Sequence, residues 1–150
     1  MKPFAAALLL VPASADAQDG GHDFVLAHLG RFAVFGDRAG VARTGDLAVM
    51  RAFQVADADF RVGGQAYWGG WSRWRFDCAA RTADRLDFAS VKDGGEEAAP
   101  FPDDAPAYDA APGGEAAELL GIACGEAEAG SPGVDSVAEA VRRGRIALAE

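Results

Sequence analysis

The stretch Trp74-Arg75-Phe76-Asp77-Cys78-Ala79-Ala80-Arg81 decides how the chain is read. Trp74, Phe76 and Cys78 fall on one side of an extended backbone, and Arg73, Arg75 and Asp77 fall on the other. A period of two is the pattern of a half-buried strand. The second of the two cysteines, Cys124, ends a short helical pattern. We read Cys78 and Cys124 as a disulfide that ties a central strand to a helix. Such a bridge closes a loop of about 47 residues, which the chain-entropy relation values at roughly 4 kcal/mol. The alternative is two separate thiols, one of them reactive. Redox catalysis of the Cys-x-x-Cys kind has no motif here.

Upstream, Tyr67-Trp68-Gly69-Gly70-Trp71-Ser72 leads into the same strand, with the two glycines marking a bend. Alternation places Trp71 opposite Trp74, on the side of Arg73 and Arg75. An exposed tryptophan flanked by arginines has the composition of a binding hot spot. Trp71, Arg73 and Arg75 are therefore the candidate partner-binding residues. The competing reading is that Trp71 packs under the loop of residues 96–114 or under the C-terminal tail. Leu47 to Val55 is a further strand, with Leu47, Val49, Phe53 and Val55 on one face and Ala48, Met50 and Ala52 on the other. Two apolar faces suit an inner strand. Arg51 interrupts the first face without an evident reason. Phe24–Leu29 and Arg31–Phe35 are short apolar runs split by Gly30, a tight hairpin or one bent strand. Gly36 to Gly40 is a turn, Val41 to Gly45 is too short to assign, and Asp57 to Gly64 is a loop or irregular edge.

Downstream, Ala79 to Ala83 suits a hairpin connection into a strand over Asp84–Val91. Glu96 to Gly114 is rich in acids and prolines and reads as a surface loop. Glu115 to Cys124 places Ala116, Leu119, Leu120 and Ala123 at helical spacing. Ser131-Pro132-Gly133 is a linker. Ser136 and Glu139 fit a capping box ahead of a narrow Val137, Val141, Leu148 stripe, where Gly144 weakens the helix by about 1 kcal/mol relative to alanine. Strands first and helices after predict an α+β fold. The expected architecture is a single antiparallel β-sheet with one helix packed on one face, plus a C-terminal helical tail.

The 150 residues suit one domain, and 50% of them are hydrophobic, enough for one core. Residues 1–17 read as a secretory signal peptide: Lys2, a short apolar run, then Ala15-Asp16-Ala17 as a cleavage site. The run is too short to span a bilayer, and no later stretch qualifies. Residues 18–125 form the domain, and residues 126–150 the linker and helical tail. The product is expected to be exported, periplasmic or secreted, where cysteines oxidise. Loss of Lys2 and Asp16 together leaves the net charge at −9. That charge argues against nucleic acid or an anionic membrane as partner.

No catalytic constellation emerges. His22 and His28 match no zinc spacing, and no nucleophile motif accompanies them. Asp103, Asp104, Asp109 and Glu115 offer the oxygen ligands calcium takes but lack the EF-hand spacing. Asp93, Glu96 and Glu97 form a carboxylate cluster better read as a polar turn. No phosphate loop or dinucleotide fingerprint is present. No metal and no cofactor is expected.

Trp74-x-x-Asp77-Cys78-x-x-Arg81-x-x-x-Arg85, the strand to Val91, Asp93-Gly94, and Pro112-Gly113-Gly114 before a helix ending in Cys124 together resemble the surface-adhesin protein E family. These are small exported bacterial domains. The resemblance spans roughly Phe24 to Cys124; Gly36-Asp37, Val41 and Gly45 fit the family's earlier acidic turn less well. It implies an antiparallel sheet with a helix packed on it, held by the cysteine bridge. It also implies an adhesin-like role, since the named member binds host matrix proteins at the outer surface, although most relatives have no assigned activity. Two features depart from it: no lipidated cysteine follows the leader, and a tail of about 26 residues follows Cys124. The family supplies no catalytic residues to carry over. The expected function is therefore a non-enzymatic envelope protein that binds another macromolecule, most simply a protein. The alternatives are a small periplasmic enzyme using acids of the 93–115 loop, or a structural or inhibitory envelope protein.

Overall fold

The computed structural model describes residues 21–126 and 132–150. The expected signal peptide, residues 1–17, lies outside them, as does the start of the 131–133 linker. The fold is broadly α+β, an antiparallel sheet with two helices. Its strands are β1 (Phe24–Leu29), β2 (Ala33–Asp37), β3 (Ala42–Thr44), β4 (Leu47–Val55), β5 (Arg61–Val62), β6 (Gln65–Asp77), β7 (Thr82–Lys92), β8 (Phe101–Pro102) and β9 (Tyr108–Asp109). The helices are α1 (Glu115–Ala123) and α2 (Val137–Leu148). The long strands follow the order β1-β2-β4-β6-β7, a meander in which each strand pairs antiparallel with the one before it. The pieces β3 and β5 add to β4 and β6, and β8 and β9 lie along β7.

The period-two reading of the central stretch holds over β6. Trp74 and Phe76 are buried while Arg73 and Arg75 are exposed. Gly69 adopts φ +147°, and a Cβ there would fall 1.8 Å from the Gln54 carbonyl oxygen. The glycine pair therefore makes a bulge, with the register shift between Tyr67 and Gly69, rather than a break. Gly30 lies in a hairpin turn, since β1 and β2 pair. The 96–114 loop contributes β8 and β9 and also bonds to β7 through Ala98 N–H to Ser90 O and Asp103 N–H to Leu86 O. These bonds cover an otherwise open sheet edge.

The two faces carry separate cores. On one, Met50, Ala52, Trp74 and Phe76 meet Leu119, Leu120 and Ile122 of α1. Cys78 and Cys124 are bonded there, 5.8 Å apart between Cα atoms. On the other, Phe35, Phe53, Val55, Trp71 and Val91 meet Ala140 and Val141 of α2. The expected C-terminal helix docks on the sheet, over β1, β2 and β4, so that each face carries one helix. Ser136 caps α2 by accepting the Glu139 N–H at 3.3 Å. The Glu139 carboxylate does not reach back as a capping box would have it. It pairs with Arg142 and Arg143, whose hydrogen bonds lower its pKa to about 2. A Cβ at Gly144 would lie 2.8 Å from Val55 Cβ, so the missing side chain lets α2 close on the sheet. Among the described residues no helix is long and apolar enough to cross a membrane.

Candidate functional site

Pairing registers place the candidate residues. Phe53 opposes Trp71, Arg51 opposes Arg73, and Val49 opposes Arg75, all on the α2 face. The helix contacts β1, β2 and β4, and the core beneath it ends at the level of Phe53 and Trp71. Beyond that level the face is open, with Val49 and the exposed Leu47 beside its charged residues. Arg51, Arg73 and Arg75 stand on it as a contiguous group of exposed cations. Arg73 contacts Asp87 at 3.0 Å, and Arg75 contacts Asp84 at 2.7 Å. Arg51 contacts Glu97 at 3.4 Å.

Trp71 does lie on the arginine side, but it is only 6% exposed. The expectation of an exposed aromatic anchor is corrected. Its ring packs against Phe53 at 5.0 Å, Phe24 at 5.6 Å and His22 at 5.7 Å between centroids. The Arg51 guanidinium lies over it at 3.9 Å. That contact accounts for the arginine that interrupts the apolar face of β4: its stem and guanidinium close the end of the core, and its charge faces water. Neither the 96–114 loop alone nor the tail alone covers the ring, as the competing reading had it. His22, ahead of β1, and Phe24, at its start, add to the cover, and no pattern in the sequence links them to Trp71.

Beside Trp71 lies a cleft of about 390 Å³ between the first turn of α2 and the β6–β7 sheet end, lined by His22, Arg51, Trp68, Trp71, Glu97 and Val137 among others. A second hollow of about 280 Å³ adjoins it, sharing Arg51, Trp71 and Glu97 and walled further by Arg73 and Asp87. His22, treated above as an unassigned imidazole, is held firmly. Its Nδ1 is 2.7 Å from Oδ2 of Asp37, which is 5% exposed and also accepts the Asp23 N–H at 3.1 Å. The imidazole stacks on Phe24 at 4.8 Å. His28 is on β1 and does not line this cleft.

The acids of the 93–115 loop spread along β7. Asp103 binds Arg85 at 2.8 Å, and this hydrogen bond holds its carboxyl below the usual range. Glu96 pairs with Lys92. Burial, then Glu115, pushes the Tyr108 phenol up. Among the described residues no group of three or more His, Cys, Asp or Glu side chains is arranged to hold a metal. No protein-family model matches the chain, and no curated protein matches it.

Proposed function

We propose that the chain is an exported, non-enzymatic binding module, adhesin-like in the manner of the surface-adhesin protein E domains, which holds an acidic segment of a protein partner on the open half of its sheet. The observation that carries this reading is the direct opposition of Arg51 and Arg73 across β4 and β6, with Arg75 next along. Like charges set opposite one another cost sheet stability. Each of the three arginines is held by one carboxylate, Arg51 by Glu97, Arg73 by Asp87 and Arg75 by Asp84, in exposed contacts that an acidic segment of a partner would exchange for its own. Trp71 serves this surface from beneath, by holding Arg51 in place, instead of as the anchor itself. Binding is favoured over catalysis by the 93–115 loop because Glu96, Glu97 and Asp103 are each engaged by a cation.

The test is cross-linking and affinity capture from the cell envelope with wild type and with the Arg73→Glu/Arg75→Glu variant. Both arginines are exposed, but glutamate there would face Asp87 and Asp84 across β6 and β7, so circular dichroism and the unfolding midpoint of the variant are measured alongside, with Arg73→Gln/Arg75→Gln as the second variant. Capture of a defined partner by the wild type, weakened at least tenfold in the variant and by added salt, is the expected result. Equal capture by both forms refutes the assignment of this surface.

A further inference from the structure

The cleft beside α2 has a composition that the arginine face does not explain, and we propose that it binds a free α-amino acid with an aromatic or branched apolar side chain. The inference does not rest on the partner-binding reading. Nδ1 of His22 is committed to Oδ2 of Asp37 at 2.7 Å, so the neutral form of the imidazole, with its proton on Nδ1, presents Nε2 as an acceptor. Among the described residues Nε2 has no hydrogen-bond partner, and the ring lines the cleft. The cleft therefore offers one strong donor, the Arg51 guanidinium, and two acceptors, Glu97 and His22. The half-buried Trp68 indole and Val137 supply the apolar wall, to which the 6% exposed Trp71 adds little.

The Arg51–Glu97 contact selects the ligand's charge. It is 3.4 Å long, with the two side chains 46% and 48% exposed, so it is worth little to the fold. A plain carboxylate that took Arg51 would leave Glu97 facing a like charge. A plain amine that took Glu97 would do the same to Arg51. A zwitterion replaces the one weak contact by two, carboxylate to Arg51 and ammonium to Glu97 and His22, and leaves neither charge unpaired. The charges of an α-amino acid lie next to each other, as those two side chains do. The end residue of a peptide carries only one of them. A cleft of about 390 Å³ is within the usual range for small-molecule sites.

The three tryptophans make the test internal. Trp74 lies on the opposite face, its indole N–H donating to Ser72 Oγ at 2.8 Å, and serves as the unperturbed reference. The experiment titrates L-phenylalanine, phenylacetate and phenethylamine into the oxidised, nitrogen-15-labelled chain and follows the indole N–H resonances. L-phenylalanine is expected to shift Trp68 and Trp71 saturably and to leave Trp74 in place, with the two single-charge analogues at least about tenfold weaker. Arg51→Gln is expected to weaken L-phenylalanine by about tenfold or more. Because Arg51 also packs on Trp71, Glu97→Gln is the second variant: exposed and harmless to the fold, it should bring L-phenylalanine and phenylacetate within about threefold of each other. The absence of a saturable shift, phenylacetate equal to L-phenylalanine on the wild type, or a Glu97→Gln variant that still discriminates overturns the proposal.

Discussion

Gly144 sets two ordinary effects against each other, and the fold decides which wins. Within a helix, Gly→Ala gains up to about 1 kcal/mol of propensity. At Gly144 the added Cβ meets Val55 at 2.8 Å from Cβ, 2.9 Å from Cγ1 and 3.0 Å from Cγ2. Val55 is fully buried on the central strand β4, so its side chain has no open space to move into. Overpacking of this kind costs about 1–3 kcal/mol. Taking about 2 kcal/mol for the clash, Gly144→Ala destabilises by about 1 kcal/mol, a fall of about 4 °C in Tm for a domain of this size. Val55→Ala removes two buried methyl groups and costs about 2 kcal/mol by itself. It also removes two of the three atoms that the new methyl group on α2 would strike but leaves the nearest, the Cβ at 2.8 Å, so in that background the cost of Gly144→Ala should shrink to near zero without becoming a gain. The coupling is read from urea unfolding of the four proteins, with m held constant as the check on two-state behaviour. Gly144→Ala that stabilises the wild type would mean that α2 does not press on β4, and the covered half of that face would have to be redrawn.

Three other outcomes follow from the same packing. Trp71→Ala should lose about 3 kcal/mol, measured by denaturant unfolding, because it opens a cavity beneath Arg51; an unchanged midpoint would restore Trp71 as a surface residue. Cys78→Ser/Cys124→Ser should lose up to about 4 kcal/mol, or roughly 15 °C in Tm, and thiol labelling of the native protein should find no reactive cysteine. Glu139 should titrate near pH 2 by carboxyl NMR, since Arg142 and Arg143 hold it ionised. Its folded pKa lies below its unfolded one, so its contribution is present above about pH 4.5 and is lost as pH falls toward 2; an ordinary titration near 4.5 would show that the helix surface network does not form in solution.

Those parts of the fold that rest on local pattern were legible in the chain. The strand over Leu47–Val55 is observed with those bounds, the α1 stripe faces the core at Leu119 and Leu120, and Ser136 caps α2. The cysteine pair is bonded. What was not legible depends on small residues. The Val137, Val141, Leu148 stripe does pack on the sheet, but the fully buried part of that face of α2 also holds Ala140 and Gly144, too small to register in an apolar pattern. Gly144 looked like a weakness of the helix because the propensity scale has no knowledge of Val55. Short β3, β5, β8 and β9 are held by their neighbours and not by their own composition.

Trp71 carries the same lesson to the site. Alternation assigned it the correct face, but the direction of a side chain does not settle its exposure. Exposure depends on what arrives from elsewhere: Phe24 and His22 from the N-terminal side, Arg51 from the neighbouring strand. The arginine that interrupted an apolar row and the tryptophan that fell among arginines were each unexplained alone, and each accounts for the other once β4 and β6 are paired. Arg51 lies at the boundary where the core under α2 gives way to the open arginine face, stacked on the last buried ring and opposite the first exposed arginine. It belongs to both the cleft and the face. A ligand in the cleft that draws its guanidinium from Glu97 would therefore also change what is offered to a partner, because the ligand's carboxylate would occupy Arg51 in place of Glu97. Affinity capture repeated with saturating L-phenylalanine measures that coupling: a change in partner affinity that disappears in Arg51→Gln links the two surfaces through this one side chain, and an unchanged affinity makes them independent.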